Sequence, residues 1–254
     1  MIYDANAWVG HWPFRSLPER SAADLLRRMD KLGIAKALVA SLHGLLYKDA
    51  HEANHELAKE ISRHRDRLFP AAVVNPAYDG WRRDLKQCRE EFGIVAVRLV
   101  PDYHGYALSG PLAQELVAEA VALKMAPTLC WRVVDPRGRH RLDPGREAEL
   151  AEVKSLLGQF KDAQFLMHNF RGPIEGLGDK PKCLYDITLL MGRNGLRMGE
   201  EIAKHGAGRF AVGTAMLLQS GSAPLIGLEK CPLNKRDREA VEWRNLARLV
   251  PEMK

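Results

Sequence analysis

Residues 24–40 read DLLRRMDKLGIAKALVA, and this stretch decides the fold. Its first part spaces apolar side chains as an amphipathic helix does, Gly33 supplies the left-handed residue that ends a helix, and an apolar run typical of a buried strand follows. The same order of helix, glycine and strand returns in DLKQCREEFGIVAVRLV at 84–100 and in EIAKHGAGRFAVG at 201–213. Repeated units of this kind predict a parallel sheet covered by helices.

Eight strands of this type can be placed along the 254 residues. They lie near residues 2–7, 35–40, 68–74, 94–100, 128–133, 164–167, 184–189 and 209–212. Eight strands in about 250 residues favour a closed (β/α)8 TIM barrel over an open doubly wound sheet. The glycine- and proline-rich link at 168–182 is too short for a full helix, which predicts a truncated sixth βα unit. We expect a last helix at 236–250 and a single domain over residues 1–254.

Composition sets the class of protein: 46% of the residues are hydrophobic, 28% are charged and the net charge is +6. No apolar run is long enough for a membrane span, and the first residues lack the pattern of a secretory signal. Four widely spaced cysteines indicate free thiols in a reducing compartment, so we expect a cytoplasmic location. The most basic segment, 132–147, also carries acids and prolines and is typical of one loop, so we expect no nucleic-acid partner.

A TIM barrel places its functional site at the C-terminal ends of the strands, and this rule selects the candidate residues. The candidates chosen in this way are Asn6, Trp8, Arg98, Trp131, Arg132, His168 and Arg171.

Six segments carry a resemblance to a known family. They are SAADLLRRMDKLGIAKALVAS (21–41), ANHELAKEISRHRDRLFPAAVVNP (53–76), FGIVAVRLVP (92–101), FLMHNFRG (165–172), HGAGRFAVGTAM (205–216) and REAVEWRNLARLV (238–250). In order and spacing they resemble the amidohydrolase-related (amidohydrolase 2) TIM-barrel family of the metal-dependent hydrolase superfamily. That branch includes aminocarboxymuconate-semialdehyde and resorcylate decarboxylases and related hydrolases. The resemblance implies hydrolase or lyase chemistry, and barrels of this family often form dimers, so a homodimer is expected.

The metal site that the resemblance implies is degenerate in this chain. In the family, strand 1 ends in His-x-His and strand 8 ends in Gly-[Ser/Thr]-Asp, where the aspartate binds metal or acts as a base. Here Asn6 and Trp8 stand at the first pair of positions, and Ala215 stands in place of the aspartate. His168 keeps the histidine of strand 6.

The family's strand 5 histidine corresponds here to Trp131, or to its neighbours Cys130 and Arg132. Zinc needs about three or four close N, O or S ligands, so we predict no tightly bound metal and no other cofactor. The alternative is a displaced divalent metal near His168. Its ligands would come from the histidines expected near the C-terminal end of the barrel, which are His11, His43, His104 and His168.

Each candidate residue has a functional interpretation and a structural one. His168 is either a general acid/base or a hydrogen-bonded remnant of the metal site. Arg98 and Arg132 either form a fork for a carboxylate or phosphate, or pair with acids inside the protein. Arg171 either adds to a basic mouth or is a solvated loop residue.

Two tryptophans, Trp8 and Trp131, are expected to reach the same region, where they either clamp a flat ligand or fill the cavity. We therefore expect a hydrolase or related lyase acting on a small anionic, cyclic or aromatic substrate without a tightly bound metal. The alternative is a non-catalytic relative that binds a ligand or a protein partner. An open pocket lined by His168 and the arginines would favour the enzyme, and a plugged pocket would favour the binder.

Overall fold

A computed structural model describes residues 1–178, 183–190 and 198–254. The strands are β1 (Ile2–Val9), β2 (Ile34–Ser41), β3 (Leu68–Val73), β4 (Ala96–Leu99), β5 (Ala126–Cys130), β6 (Phe165–His168), β7 (Cys183–Asp186) and β8 (Phe210–Ala211). Each strand pairs in parallel with the next one along the chain. The Ala5 N–H donates to the Val212 carbonyl at 2.8 Å, which brings β1 to the β8 side and closes the ring. The predicted (β/α)8 TIM barrel is confirmed.

Helices alternate with these strands. They are α1 (Ala22–Leu32), α2 (Ala50–Glu60), α3 (Trp81–Glu90), α4 (Pro101–His104), α5 (Pro111–Ala122), α6 (Leu150–Gln159), α7 (Met198–His205), α8 (Ser222–Glu229), α9 (Lys235–Glu239) and α10 (Asn245–Leu249). Between β6 and β7, the described residues 169–178 hold only the 3₁₀ turn Ile174–Leu177. The expected truncation of the sixth unit is confirmed over those residues.

The stretch that predicted the fold adopts the expected local structure. The Ser21 side chain accepts a hydrogen bond from the Asp24 N–H at 3.2 Å, and the Asp24 carboxylate accepts one from the Ser21 N–H at 2.9 Å. This reciprocal capping box satisfies two N–H groups that the first turn of α1 leaves free. Gly33 ends the helix with φ of 68°, a conformation that costs glycine little because it has no Cβ. β2 then starts at once.

The largest boundary differences are at the ends of β5 and β7 and in the last helix, while the other strand ends shift by at most two residues. β5 ends at Cys130 rather than at residue 133, and β7 ends at Asp186 rather than at residue 189. After Asp186 the chain turns because the aspartate carboxylate accepts the Thr188 N–H at 3.2 Å, which replaces a ladder bond. The predicted helix at 236–250 is two α-helices, α9 and α10, joined by a π-helical turn over Ala240–Arg244.

Buried side chains form one cluster inside the barrel and others between the strands and the surrounding helices. The inner cluster includes Trp8, Leu38, Val73 and Leu166, while Leu116 and Leu156 pack in an outer cluster. Successive side chains of a strand point to opposite faces, which is why each strand supplies both layers. Within the described part of the chain, no helix has both the length and the apolar character needed to cross a membrane.

Candidate functional site

Polar side chains from four strands meet inside the barrel near its C-terminal end. Asn6 of β1 donates from Nδ2 to Asp186 Oδ2 of β7 at 2.8 Å, and Arg98 Nη1 of β4 donates to Asn6 Oδ1 at 3.3 Å. His168 at the end of β6 contacts the same Asp186 oxygen through Nδ1 at 3.1 Å. These strands are mostly not neighbours, so the side chains reach one another across the interior. All four residues are buried.

The Asp186 carboxylate organises this group because four donors converge on it. Oδ2 accepts from Asn6 and His168, while Oδ1 accepts from the N–H groups of Asn169 at 3.1 Å and Thr188 at 3.2 Å. Each oxygen therefore has two hydrogen bonds, which is close to its full capacity. The carboxylate fixes the ends of β1, β6 and β7 relative to one another.

His168 has the geometry of an oriented neutral base. Because Asp186 accepts from Nδ1, the ring proton lies on Nδ1 and the lone pair lies on Nε2. Burial, and secondly the charge of Arg98, lower the pKa of His168 to about 4, although Asp186 opposes this shift. The ring is therefore neutral at neutral pH. Nε2 is buried and has no hydrogen-bond partner among the described residues.

Arg98 is a buried cation that lies against an aromatic ring. Its guanidinium carbon is 4.2 Å from the centroid of the Trp8 ring, a cation–π contact. Nη1 donates to Asn6, but Nε and Nη2 are buried without a hydrogen-bond partner in the described part of the chain. The interior thus contains a fixed positive charge with free N–H groups.

The expected fork of Arg98 and Arg132 is not formed. Arg132 Nη2 lies 3.0 Å from Asp135 Oδ2, and its Nη1 lies 2.5 Å from Glu147 Oε1. These pairs neutralise Arg132 at the rim, whereas Arg98 lies inside the barrel. Because β5 ends at Cys130, the alternation of side chains along a strand does not set the direction of Arg132.

The two tryptophans also separate. Trp8 belongs to the cluster inside the barrel, whereas Trp131 packs outside it against Phe170, edge to face, with ring centroids 4.9 Å apart. The expectation that Trp8 and Trp131 reach the same region is therefore wrong, and the two rings neither clamp one ligand together nor fill one cavity together. Trp131 is the first residue after β5 and follows the direction of the loop rather than that of the strand.

Two adjoining clefts open above the polar group. One, of about 420 Å³, is lined among others by Arg15, Arg132, Arg137, Arg171, Thr188 and Gln219. The other, of about 350 Å³, shares Arg171 and reaches Tyr185 and Asp186. Arg137 pairs with Asp135, while Arg171 is half-buried and has no hydrogen-bond or ion-pair partner among the described residues. Arg171 is therefore a cation at the mouth of the barrel that is available to an anion, although acidic side chains also line these clefts.

Sequence reasoning underrated Asp186 and Asn169. Asp186 is the one carboxylate within a predicted strand near the active end, and its position was the available signal for its role. Asn169 donates from Nδ2 to the Arg132 carbonyl at 2.8 Å and has φ of 54°, in the left-handed region. Asparagine tolerates that conformation better than most residues, so an asparagine directly after His168 was a weak signal for a sharp turn.

The donor set does not fit a divalent metal. Asp186 already accepts four hydrogen bonds, so of the four site residues only His168 Nε2 offers a free lone pair, and Arg98 opposes a second cation there. Among the described residues, no group of three or more His, Cys, Asp or Glu side chains is arranged to hold a metal. His43 is engaged by Glu56 and by the His11 N–H, and His104 Nε2 by the Gly44 carbonyl. A displaced site is therefore not assembled from these histidines.

Solved structures resemble this fold, although no protein-family model and no curated protein matches the sequence. A 2,6-dihydroxybenzoate decarboxylase complexed with 2,6-dihydroxybenzoate has a TM-score of 0.73 at 14% identity, with 98% of this chain and 99% of that chain covered. A dihydroxybenzoic acid decarboxylase from Polaromonas sp. JS666, with bound manganese and the inhibitor 2-nitroresorcinol, has a TM-score of 0.74 at 13% identity, covering 100% and 97%. A probable 2-pyrone-4,6-dicarboxylic acid hydrolase from Acinetobacter baumannii, with citric acid bound, has a TM-score of 0.67 at 15% identity, covering 98% and 99%. Likeness at these identities establishes the barrel fold.

Proposed function

We propose that this chain is a hydrolase or related lyase of the amidohydrolase-related type that acts on a small anionic, cyclic or aromatic substrate without a tightly bound metal. The observation that carries the proposal is the buried His168–Asp186 pair, with Nε2 free and Arg98 beside it. The similar solved proteins are named for cyclic or aromatic acids, dihydroxybenzoate and pyrone dicarboxylic acid, which supports this substrate class.

In the hydrolytic form of the reaction, His168 is the catalytic base. Nε2 takes a proton from water as the water oxygen attacks a substrate carbonyl carbon. The carbonyl oxygen becomes negative as the bond to the water oxygen forms. When the bond to the leaving oxygen breaks, Nε2–H returns its proton to that oxygen, so the histidine ends neutral. Asp186 holds the ring in the tautomer that this cycle needs. Arg171 attracts the anionic substrate to the mouth.

Replacing the base tests this assignment. In His168→Asn the side-chain amide can still donate to Asp186, but the group at Nε2 is lost. We expect kcat to fall about 10²- to 10⁴-fold, the range that a general base contributes. The assay is a panel of hydroxybenzoates, followed by loss of absorbance and release of CO₂, and of cyclic esters, followed by acid release.

His55→Asn is the matched control, because His55 is exposed on α2 and makes none of the contacts described for the candidate site. It should retain the wild-type rate. A His168→Asn protein that also keeps the wild-type rate would show that the base lies elsewhere. No turnover of either substrate class by the wild-type protein would favour the second candidate function.

That second candidate is a non-catalytic barrel that binds a ligand or a partner. One observation favours it: Trp8 and Arg98 are both fully buried and stacked in the centre of the barrel. Neither residue lines the two clefts at the mouth, and His168 does not line them either, as an open catalytic pocket would require. In this candidate the two clefts would hold the ligand and the buried pair would only fill the space below.

A further inference from the structure

We propose that Arg98 is the carboxylate-binding cation of this barrel, and that it occupies the electrostatic role a divalent metal would have. The inference rests on the proposed function and refines it: the anionic group of the substrate is a carboxylate, and it is gripped inside the barrel by one edge of the Arg98 guanidinium.

The free atoms of Arg98 define the kind of ligand. Nε and Nη2 carry parallel N–H bonds on the same edge of the planar guanidinium, and this edge matches the two oxygens of a carboxylate. Nη1, on the other side, is used by Asn6. Trp8 stacks on a face of the group, and that contact uses none of the in-plane N–H bonds. The edge with the two unpartnered nitrogens is thus the one suited to bidentate binding.

The charge balance points to the same ligand. Arg98 is fully buried, and no acidic side chain of the described residues forms a direct ion pair with it. Asp186 is linked to it only through the Asn6 amide. A buried charge without a direct counter-ion destabilises the fold. A ligand carboxylate at the free edge would supply both the missing charge and the two missing acceptors.

Neighbouring unpartnered groups fit a carboxylic acid derivative rather than a simple ion. Trp8 Nε1 and Thr128 Oγ1 are also buried without hydrogen-bond partners in the described part of the chain, and Thr128 is the β5 residue in register with Arg98. His168 Nε2 offers an acceptor to the same interior. Donors therefore outnumber acceptors, and a ligand rich in acceptor oxygens satisfies them.

The test is calorimetric titration with benzoate at fixed ionic strength, on the full chain, with and without Mn²⁺. We expect one benzoate per chain, unaffected by Mn²⁺. Arg98→Met, which keeps the length of the side chain but removes charge and donors, should bind benzoate about 10- to 100-fold more weakly, the loss of a charge-assisted hydrogen-bonded pair. The benzoate affinity of Arg98→Lys should lie between those of the wild type and Arg98→Met, because lysine keeps the charge but cannot bind both carboxylate oxygens as the guanidinium does.

Arg65→Met is the control, since Arg65 is half-buried and donates to the Gly93 carbonyl before β4, at the opposite end of the barrel. It should bind benzoate as the wild type does. Thermal unfolding of each variant separates loss of binding from loss of the fold, and Arg98→Lys keeps the test valid should Arg98→Met not fold.

The results separate this inference from the proposed function. Arg98-dependent benzoate binding without turnover of any substrate would support the carboxylate site and overturn the enzyme. No benzoate binding by the wild type, equal binding by Arg98→Met, or binding that requires Mn²⁺ would each overturn the role given to Arg98. Because calorimetry reports binding rather than rate, these outcomes do not depend on catalysis.

Discussion

Asp4 lies below the candidate site and joins the first strand to the segment that follows the last. Its Oδ1 accepts the N–H groups of Asn6 at 2.9 Å and Thr214 at 3.0 Å, and its Oδ2 accepts the Thr214 hydroxyl. Burial nevertheless raises its pKa from 3.8 to about 6, because the desolvation of the carboxylate exceeds the effect of these hydrogen bonds.

This shift predicts a pH-dependent stability. The folded protein holds a proton on Asp4 up to about pH 6, whereas the unfolded chain releases it near 3.8. The stability contributed by this group is therefore fully present below pH 3.8. It is lost as the pH rises from 3.8 through about 6. Relative to Asp4→Asn, the wild type should lose about 1.4 kcal/mol per pH unit in that window, measured by urea unfolding.

Asn is the suitable replacement because its Oδ1 can accept both N–H groups while its Nδ2 donates to the Thr214 hydroxyl. Asp66→Asn, at an exposed acid, is the control for the change in net charge. Parallel stability curves of the wild type and Asp4→Asn between pH 4 and 6 would show that Asp4 titrates normally.

The sequence predicted the positions of some residues of the site and not of others. Asn6, Arg98 and His168 were selected by their place at strand ends, and the structure brings these three together around Asp186. Trp131 was misplaced. The cause is geometric: the period of two applies only while the chain remains in a strand, and the end of β5 is set by contacts with other segments.

Among the elements, β8 depends on a close approach to β7. A Cβ added to Gly213 would lie 2.6 Å from Asp186 Cβ and 2.9 Å from Thr188 Oγ1. Such distances are not tolerated, and both neighbours belong to the hydrogen-bond group of the site. The glycine after β8 therefore permits Asp186 to sit where it contacts His168.

We expect Gly213→Ala to lower the free energy of unfolding by about 1–3 kcal/mol, the usual effect of overpacking, and to weaken benzoate binding by moving Asp186. Urea unfolding and the same titration provide the measurements. Gly208→Ala is the matched control, since Gly208 precedes β8 and an added Cβ there meets no neighbouring atom within 4 Å. Equal stability of the two variants would contradict the proposed packing of β8 on β7.

For the whole molecule, the chain's own hydrogen bonds close the barrel, so no metal is needed to join its strands. We expect protein purified without a chelator or affinity-tag histidines to contain less than about a tenth of an equivalent of zinc, manganese or iron by elemental mass spectrometry, because a site of three or more ligands would normally retain its metal. Dialysis against EDTA should leave Tm unchanged. A near-stoichiometric metal, or a fall in Tm after EDTA, would contradict the donor analysis.

The sequence by itself determined the barrel. Helical spacing, the glycine between helix and strand in three of the units and the eight apolar strands are local signals, and each acts within about 15 residues of its own position in the chain. It also indicated which end of the strands to examine.

Only the tertiary structure decided what the residues at that end do. The site joins residues that are distant in the chain: the hydrogen bond between Asn6 and Asp186 spans 180 residues. Such contacts, including those of Arg98 and His168, depend on how eight strands close into a ring. The same closure buries Arg98 on Trp8 and leaves Arg132 paired at the rim. Hydrogen-bond partners, and the direction of side chains beyond a strand end, arise from packing between distant segments, and sequence periodicity carries no information about them.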